Sequence, residues 1–213
     1  MTDYFDYSKV RNRKFYDIVA PITKVLTSLV FKIKCEGKEN LPKEGAYIVS
    51  CNHLTSFDPL LLAVRSGRPI HFMAKYETFE KPFTRFFLTH LNSFPVKRGS
   101  SDKSSIEYAI NLIKSGHVIG IFPEGTRNKE GGEPLKAKSG VALIAKATNS
   151  DVVPCSIYFG EKKGIRTPVT VRFGKLIKFE ELGFTDGARS TAEIRNASRM
   201  IFDETVRLWR MGL

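Results

Sequence analysis

The sequence predicts an α/β domain with a central, mostly parallel mixed sheet flanked by helices, preceded by an N-terminal amphipathic helical segment. Three observations carry this expectation. From Leu41 onward, short apolar runs alternate with helix-length segments, the pattern of a layered α/β domain. Runs such as Tyr47-Ile48-Val49 and Val118-Ile119-Gly120-Ile121-Phe122 are apolar at successive positions, which suits strands covered on both faces. At 213 residues, with no internal repeat or low-complexity tract, the chain is sized for one such domain with a short appendage.

The appendage is residues 1–35, and the α/β domain is residues 36–213. A basic stretch with Lys9, Arg11, Arg13 and Lys14 leads into a sparsely charged run to Lys34. At about 100° per residue, Asp17, Pro21, Lys24, Ser28 and Lys32 fall in one narrow arc. Phe15, Ile18, Val19, Ile22, Val25, Leu26, Leu29, Val30 and Ile33 occupy most of the remainder. A membrane span wants roughly 20 predominantly apolar residues, and Asp17 and Lys24 interrupt a stretch barely that long. Lys24 and Pro21 also break the apolar region that a secretory signal needs. A helix lying in the membrane interface fits the pattern, with simple packing on the domain as the alternative. The basic flank favours an anionic lipid surface.

Within the domain, strands are expected over residues 46–51, 70–74, 93–96, 118–122, 152–159 and 169–173. Helices are expected over 59–66, 81–91, 103–115, 140–148 and 192–210. The balance of 34 Lys and Arg against 22 Asp and Glu leaves a formal charge of +12, which points to polyanionic partners: nucleic acid, an anionic membrane or phosphorylated small molecules. No zinc-finger spacing, RNA-recognition signature or basic helix followed by heptads supports nucleic acid, so none is expected as a partner. Cys35, Cys51 and Cys155 lie in or beside apolar runs without Cys-x-x-Cys spacing and read as reduced, buried residues. The four histidines are dispersed, with no acidic or cysteine partners to complete a shell, so no metal site and no cofactor is expected.

Chemistry concentrates where strands should stop, since sites in α/β sheets form beyond the carboxyl ends of strands. In Asn52-His53-Leu54-Thr55-Ser56-Phe57-Asp58, a histidine that can take a proton near neutral pH is followed five residues on by an aspartate that can fix its tautomer. Asp58 also precedes Pro59, the signature of a helix N-cap, and its two oxygens allow both roles. A second polar segment, Lys97-Arg98-Gly99, follows Phe94-Pro95-Val96. A third, Pro123-Glu124-Gly125-Thr126-Arg127, joins a carboxylate, a permissive backbone, a hydroxyl and a guanidinium. Such a turn can grip a phosphate, or it can be an ordinary exposed turn with a solvated ion pair. Glu124 has a further option, pairing with an arginine to hold the site's shape. Lys136 and Lys138 precede Ser139-Gly140 at a helix start, where an anion is welcome.

In this order the segments resemble the 1-acylglycerol-3-phosphate acyltransferase family of glycerolipid acyltransferases. Asn52-His53-x-x-x-x-Asp58 is similar to the family's histidine–aspartate block, Phe94-Pro95-Val96-Lys97-Arg98 to its arginine block, and Phe122-Pro123-Glu124-Gly125-Thr126-Arg127 to its most distinctive one. Val153-Pro154 resembles the last, and Lys75 and Lys138 stand where such proteins carry a lysine. The resemblance runs from about Leu41 to Glu180, and the amphipathic leader is also typical. Asn92 replaces a glycine frequent before the second block, a substitution asparagine tolerates in a left-handed turn.

The resemblance implies transfer of a fatty acyl chain from acyl-CoA or acyl-carrier protein to the 2-hydroxyl of lysophosphatidic acid, giving phosphatidic acid for phospholipid biosynthesis. Another lysolipid or glycerol 3-phosphate is the alternative acceptor. A basic nucleic-acid-binding protein is the alternative from a different class. The implied roles are His53 as general base with Asp58 orienting it, Lys75 or a backbone N–H at the oxyanion, and Arg98, Glu124, Gly125, Thr126, Arg127 and Lys138 at the acceptor's phosphate. Cys51 is the one tempting nucleophile, but burial is the better account of it, so direct transfer is expected. The implied location is peripheral, on the cytoplasmic face of the cell membrane.

Overall fold

The computed structural model describes residues 5–10, 15–97, 102–161, 164–185 and 190–212. Among the described residues six α-helices, α1 (Phe15–Val30), α2 (Asp58–Ser66), α3 (Pro82–His90), α4 (Lys103–Lys114), α5 (Gly140–Thr148) and α6 (Thr191–Arg210), are interleaved with seven strands. The strands are β1 (Phe31–Glu36), β2 (Ile48–Cys51), β3 (Ile70–Lys75), β4 (Ser93–Val96), β5 (Val118–Ile121), β6 (Val152–Phe159) and β7 (Thr167–Phe173). They form one sheet in the order β1-β7-β6-β2-β5-β3-β4. Every neighbouring pair is parallel except β6 with β7.

The sheet is covered on both faces, as its continuous apolar strands require. One face buries Ile48, Ile119 and Val152 with Leu112 of α4 and Ile144 of α5. The other buries Val49, Val153 and Phe72 with Leu61 and Leu62 of α2. Successive residues Ile48 and Val49 thus point into different cores, the alternation a strand imposes. Gly120 is explained by this packing, because a Cβ there would lie 2.3 Å from the ring of Phe72. Asn92 does adopt the left-handed conformation, with φ of 59°.

Two expectations about the leader are corrected. Residues 31–34, assigned to the amphipathic helix, belong to β1, which pairs in parallel with β7 from Phe31↔Thr167 to Glu36↔Arg172. The expected boundary at residue 35 therefore falls inside the sheet. The run Phe31-Lys32-Ile33-Lys34-Cys35-Glu36 alternates apolar and charged residues, a period of two that a helical projection conceals. Cys35, expected to be buried, is exposed on this edge strand, whereas Cys51 and Cys155 are fully buried.

The helix α1 leans on α2 through its small and hydroxyl-bearing side. Tyr16 donates its hydroxyl to the Ala63 carbonyl at 2.7 Å, and Arg65 donates to the Ser28 hydroxyl at 2.8 Å. The apolar stripe of Ile18, Ile22, Val25, Leu26 and Leu29 remains 57–64% exposed. Packing on the domain therefore does not account for that stripe. Among the described residues no helix is long and apolar enough to cross a membrane.

Candidate active site

The sheet order brings the carboxyl ends of β2, β5, β3 and β4 side by side, and the expected segments leave the sheet there. At the end of β2, the Asn52 side chain acts as a peptide unit. Its Oδ1 accepts the Ile157 N–H at 2.8 Å and its Nδ2 donates to the Ile157 carbonyl at 3.0 Å. The chain then turns out of the sheet at His53.

His53 Nδ1 lies 2.8 Å from Asp58 Oδ2. The same oxygen accepts the backbone N–H groups of Leu54 at 2.6 Å and Thr55 at 2.8 Å, and Oδ1 accepts the Thr55 hydroxyl at 2.7 Å. These donors hold an anionic, acceptor-only carboxylate, so Nδ1 carries the hydrogen and Nε2 remains for proton transfer. The N-cap expectation for Asp58 is corrected. Helix α2 begins at Asp58 itself, with Phe57 in the cap position and no side-chain cap bond. The carboxylate folds back onto the turn before it because the histidine and two amides lie there.

The imidazole stacks on the Phe122 ring, with centroids 4.2 Å apart and planes 21° from parallel, and Phe122 is in turn stacked on Phe72 at 5.9 Å. That column stands beside Gly120, whose missing side chain makes room for Phe72. Phe122 belongs to the third sequence block, yet nothing in the sequence alone marked it as the wall behind the base.

Glu124, expected at the substrate's phosphate, is buried and braces the backbone. Its Oε1 accepts the His53 N–H at 2.6 Å and its Oε2 accepts the Leu135 N–H at 2.8 Å. Burial raises its pKa, and the two N–H donors and the nearby His53 oppose that rise. Its partners are two backbone amides, where an arginine was expected. Asn128 completes the brace, donating its N–H to the His53 carbonyl at 2.8 Å and its side-chain amide to the carbonyls of Gly131 and Glu133, both at 3.0 Å. Such long-range partners leave no local signature in a sequence.

In front of His53 lies a cleft of about 520 Å³, bordered by Lys75, Lys97, Arg127 and Lys138 and by apolar Met73, Leu88, Val96, Ile106 and Phe122. No carboxylate borders it among the described residues. Arg127 Nη1 donates to the Ser56 hydroxyl at 2.5 Å, tying the third block to the first across the rim. Gly125, with φ of +68°, passes against the Lys138 side chain; a Cβ there would sit 2.8 Å from Nζ. The Lys138 N–H bonds the Pro123 carbonyl at 2.8 Å, which keeps that lysine at the cleft.

Lys75 closes β3 at the rim, half-exposed, with Nζ 3.0 Å from Glu77. Thr126 is not among the cleft-lining residues, and Arg98 lies outside the described residues. Lys97, not singled out as a site residue from the sequence, places its ammonium 4.7 Å from the Tyr76 ring centre at the same cleft. The arrangement offers one base, its orienting carboxylate and a cluster of cations over an apolar floor. It suits proton removal from a hydroxyl held by a nearby anion on a molecule with an apolar part.

The family model named Acyltransferase matches residues 32–158. Among curated proteins, the 1-acyl-sn-glycerol-3-phosphate acyltransferase of Bacillus subtilis is 36% identical over 150 residues, covering 70% of this chain and 73% of that protein. The protein of the same name from Borreliella burgdorferi is 34% identical over 129 residues, covering 60% of this chain and 51% of its own length. Among solved structures, the 1-acyl-sn-glycerophosphate (LPA) acyltransferase of Thermotoga maritima superposes with a TM-score of 0.71 at 24% identity, covering 96% of this chain and 84% of that one.

Proposed function

This chain belongs to the acyltransferase family, and we propose that it moves a fatty acyl group from a thioester, acyl-CoA or acyl-carrier protein, to the 2-hydroxyl of lysophosphatidic acid, giving phosphatidic acid. The single observation that carries the reading is the His53–Asp58 pair at the edge of a cleft bordered by four cations. The names of the Bacillus and Borreliella relatives support this acceptor.

In the proposed reaction His53 Nε2 takes the hydroxyl proton as the acceptor oxygen attacks the thioester carbonyl carbon. The imidazolium that forms is stabilised by Asp58, whose remaining lone pairs are engaged by Leu54 and Thr55 and so need not reorganise. Collapse of the tetrahedral intermediate breaks the carbon–sulfur bond, and His53 returns its proton to the departing thiolate. Arg127, Lys138 and Lys97 bind the acceptor's phosphate, and Lys75 is the side-chain donor nearest in role to the oxyanion. Cys51 is unsuited as a nucleophile, because complete burial pushes its thiol well above the ordinary range.

Helix α1 serves as the membrane seat, its exposed apolar stripe lying in the interface of an anionic leaflet on the cytoplasmic face. Polar replacement at Ile22, Leu26 and Leu29 together should release the protein from anionic vesicles; unchanged sedimentation would remove α1 from that role. The test of the reaction is incubation of lysophosphatidic acid with each acyl thioester, wild type against His53→Ala, read by lipid mass spectrometry. A loss of about 10²–10⁴-fold in turnover is expected for a positioned general base. Retained turnover in the variant would reject His53, and product formed only from glycerol 3-phosphate or another lysolipid would reject the acceptor.

A further inference from the structure

Helix α3 has no buried residue. Phe83, Phe86 and Phe87 stand 74%, 52% and 41% exposed on one face, at the i, i+3, i+4 spacing, and touch one another with ring centres 4.7 and 5.7 Å apart. Their outward direction is imposed by how the helix is mounted. Thr84 donates its hydroxyl to the Thr78 carbonyl in the turn Tyr76–Phe79, and that turn is anchored by fully buried Phe79. On the same helix Leu88 borders the cleft. The helix is thus fixed beside the site with three rings exposed on its surface.

This face continues into α1. Phe15, the first residue of α1, lies 6.5 Å from the Phe86 ring and 5.4 Å from His90, whose ring is itself 4.1 Å from Phe86. The aromatic face therefore adjoins the helix that carries the exposed stripe of Ile18, Ile22, Val25, Leu26 and Leu29. An exposed apolar surface of this kind, on elements that also carry cations, marks an interaction site. Lys81 precedes α3 and Arg85 lies within it, Lys24 lies on α1, and the chain carries a net +12.

We propose that α3 is a second membrane-inserting element, its three phenylalanines entering the interface of an anionic lipid bilayer beside α1. This rests on the reading of α1 as the membrane seat. With both helices seated, Leu88 of α3 places the cleft beside the same lipid surface.

The test places a reporter at position 83. Phe83→Trp, read as the difference from the wild type with its single Trp209, should shift its emission to the blue on phosphatidylglycerol-rich vesicles and be quenched by lipids brominated along the acyl chain. In parallel, the double variant Phe83→Ser, Phe86→Ser should sediment with those vesicles at least about tenfold more weakly, while acylation of a water-soluble short-chain acceptor without membranes is unchanged. An unquenched reporter on protein that still sediments through α1 overturns the role of α3 alone. Wild type that does not sediment overturns α1 and α3 together. A blue shift without vesicles, accompanied by dimer formation that the serine variant abolishes, assigns the face to a second copy of the chain and overturns the proposal. Quenching in a protein that acylates nothing retains the lipid surface and rejects the acyl-transfer reading.

Discussion

The Glu124 carboxylate accepts the backbone N–H of His53 at 2.6 Å across 71 positions of sequence. Its second oxygen holds the Leu135 N–H at 2.8 Å, so one buried side chain fixes both the turn that carries His53 and the loop that frames it. In Glu124→Gln an amide NH₂ replaces one acceptor and faces an N–H. Each buried donor left unpaired costs about 1–3 kcal/mol, and melting should fall by about 2–4 °C per kcal/mol for a chain of this size. Turnover should drop about tenfold or more as His53 moves. A variant with wild-type melting and turnover would contradict the brace.

Ser56 holds the Arg127 guanidinium at 2.5 Å across the cleft rim. Both groups are exposed, so the bond contributes little to stability. Its removal in Ser56→Ala should instead raise KM for the phosphorylated acceptor about threefold to tenfold, leave KM for the acyl donor unchanged, and be reversed by Ser56→Thr. Equal changes in both KM values would show that the bond does not position a phosphate ligand.

Cys51 lies two residues before His53, fully buried, beside its register partner Cys155 on β6. Replacement by alanine should lower stability by about 1 kcal/mol and leave turnover within about twofold of wild type. Trapping of an acyl thioester on Cys51 in intact-protein mass spectrometry would refute direct transfer.

Buried His71 governs a separate acid response. Its Nε2 has no hydrogen-bond partner among the described residues, and burial, reinforced by neighbouring His117, holds its pKa down to about 3 against 6.5 for the unperturbed group. Between those values the unfolded chain binds a proton that the folded chain does not. The His71 contribution is therefore fully present above 6.5 and is lost progressively as pH falls towards about 3. Denaturant titrations across that window should show a shallower loss of stability for His71→Gln, which stays neutral. Identical slopes for variant and wild type would dismiss the histidine.

The parts of the fold legible in the sequence were those with one dominant periodicity. The apolar runs of β2, β5 and β6 and the helical patterns of α4 and α6 match their elements to within a few residues. Strand β1 was hidden because it follows α1 without a break, and Phe31 and Ile33 satisfy a helical projection as well as an alternating one. At the site, His53, Asp58, Arg127 and Lys138 were legible from residue type and position after strands. The direction of each carboxylate was not. Asp58 bears the mark of an N-cap yet bonds upstream, and Glu124 sits in a polar turn yet faces inward, because each is claimed by amides and a histidine that only the folded chain supplies. The contributions of Lys97 and Phe122 are not visible in residue type for the same reason, since they lie in what stands opposite each side chain.

Asn52 gives the site its point of departure. By engaging both the N–H and the carbonyl of Ile157 with its side chain, it supplies a false rung to the β2–β6 ladder at the place where the main chain needs to leave. The Ile157 peptide groups keep partners when the backbone peels away, so the turn carrying His53 leaves the sheet without stranding them.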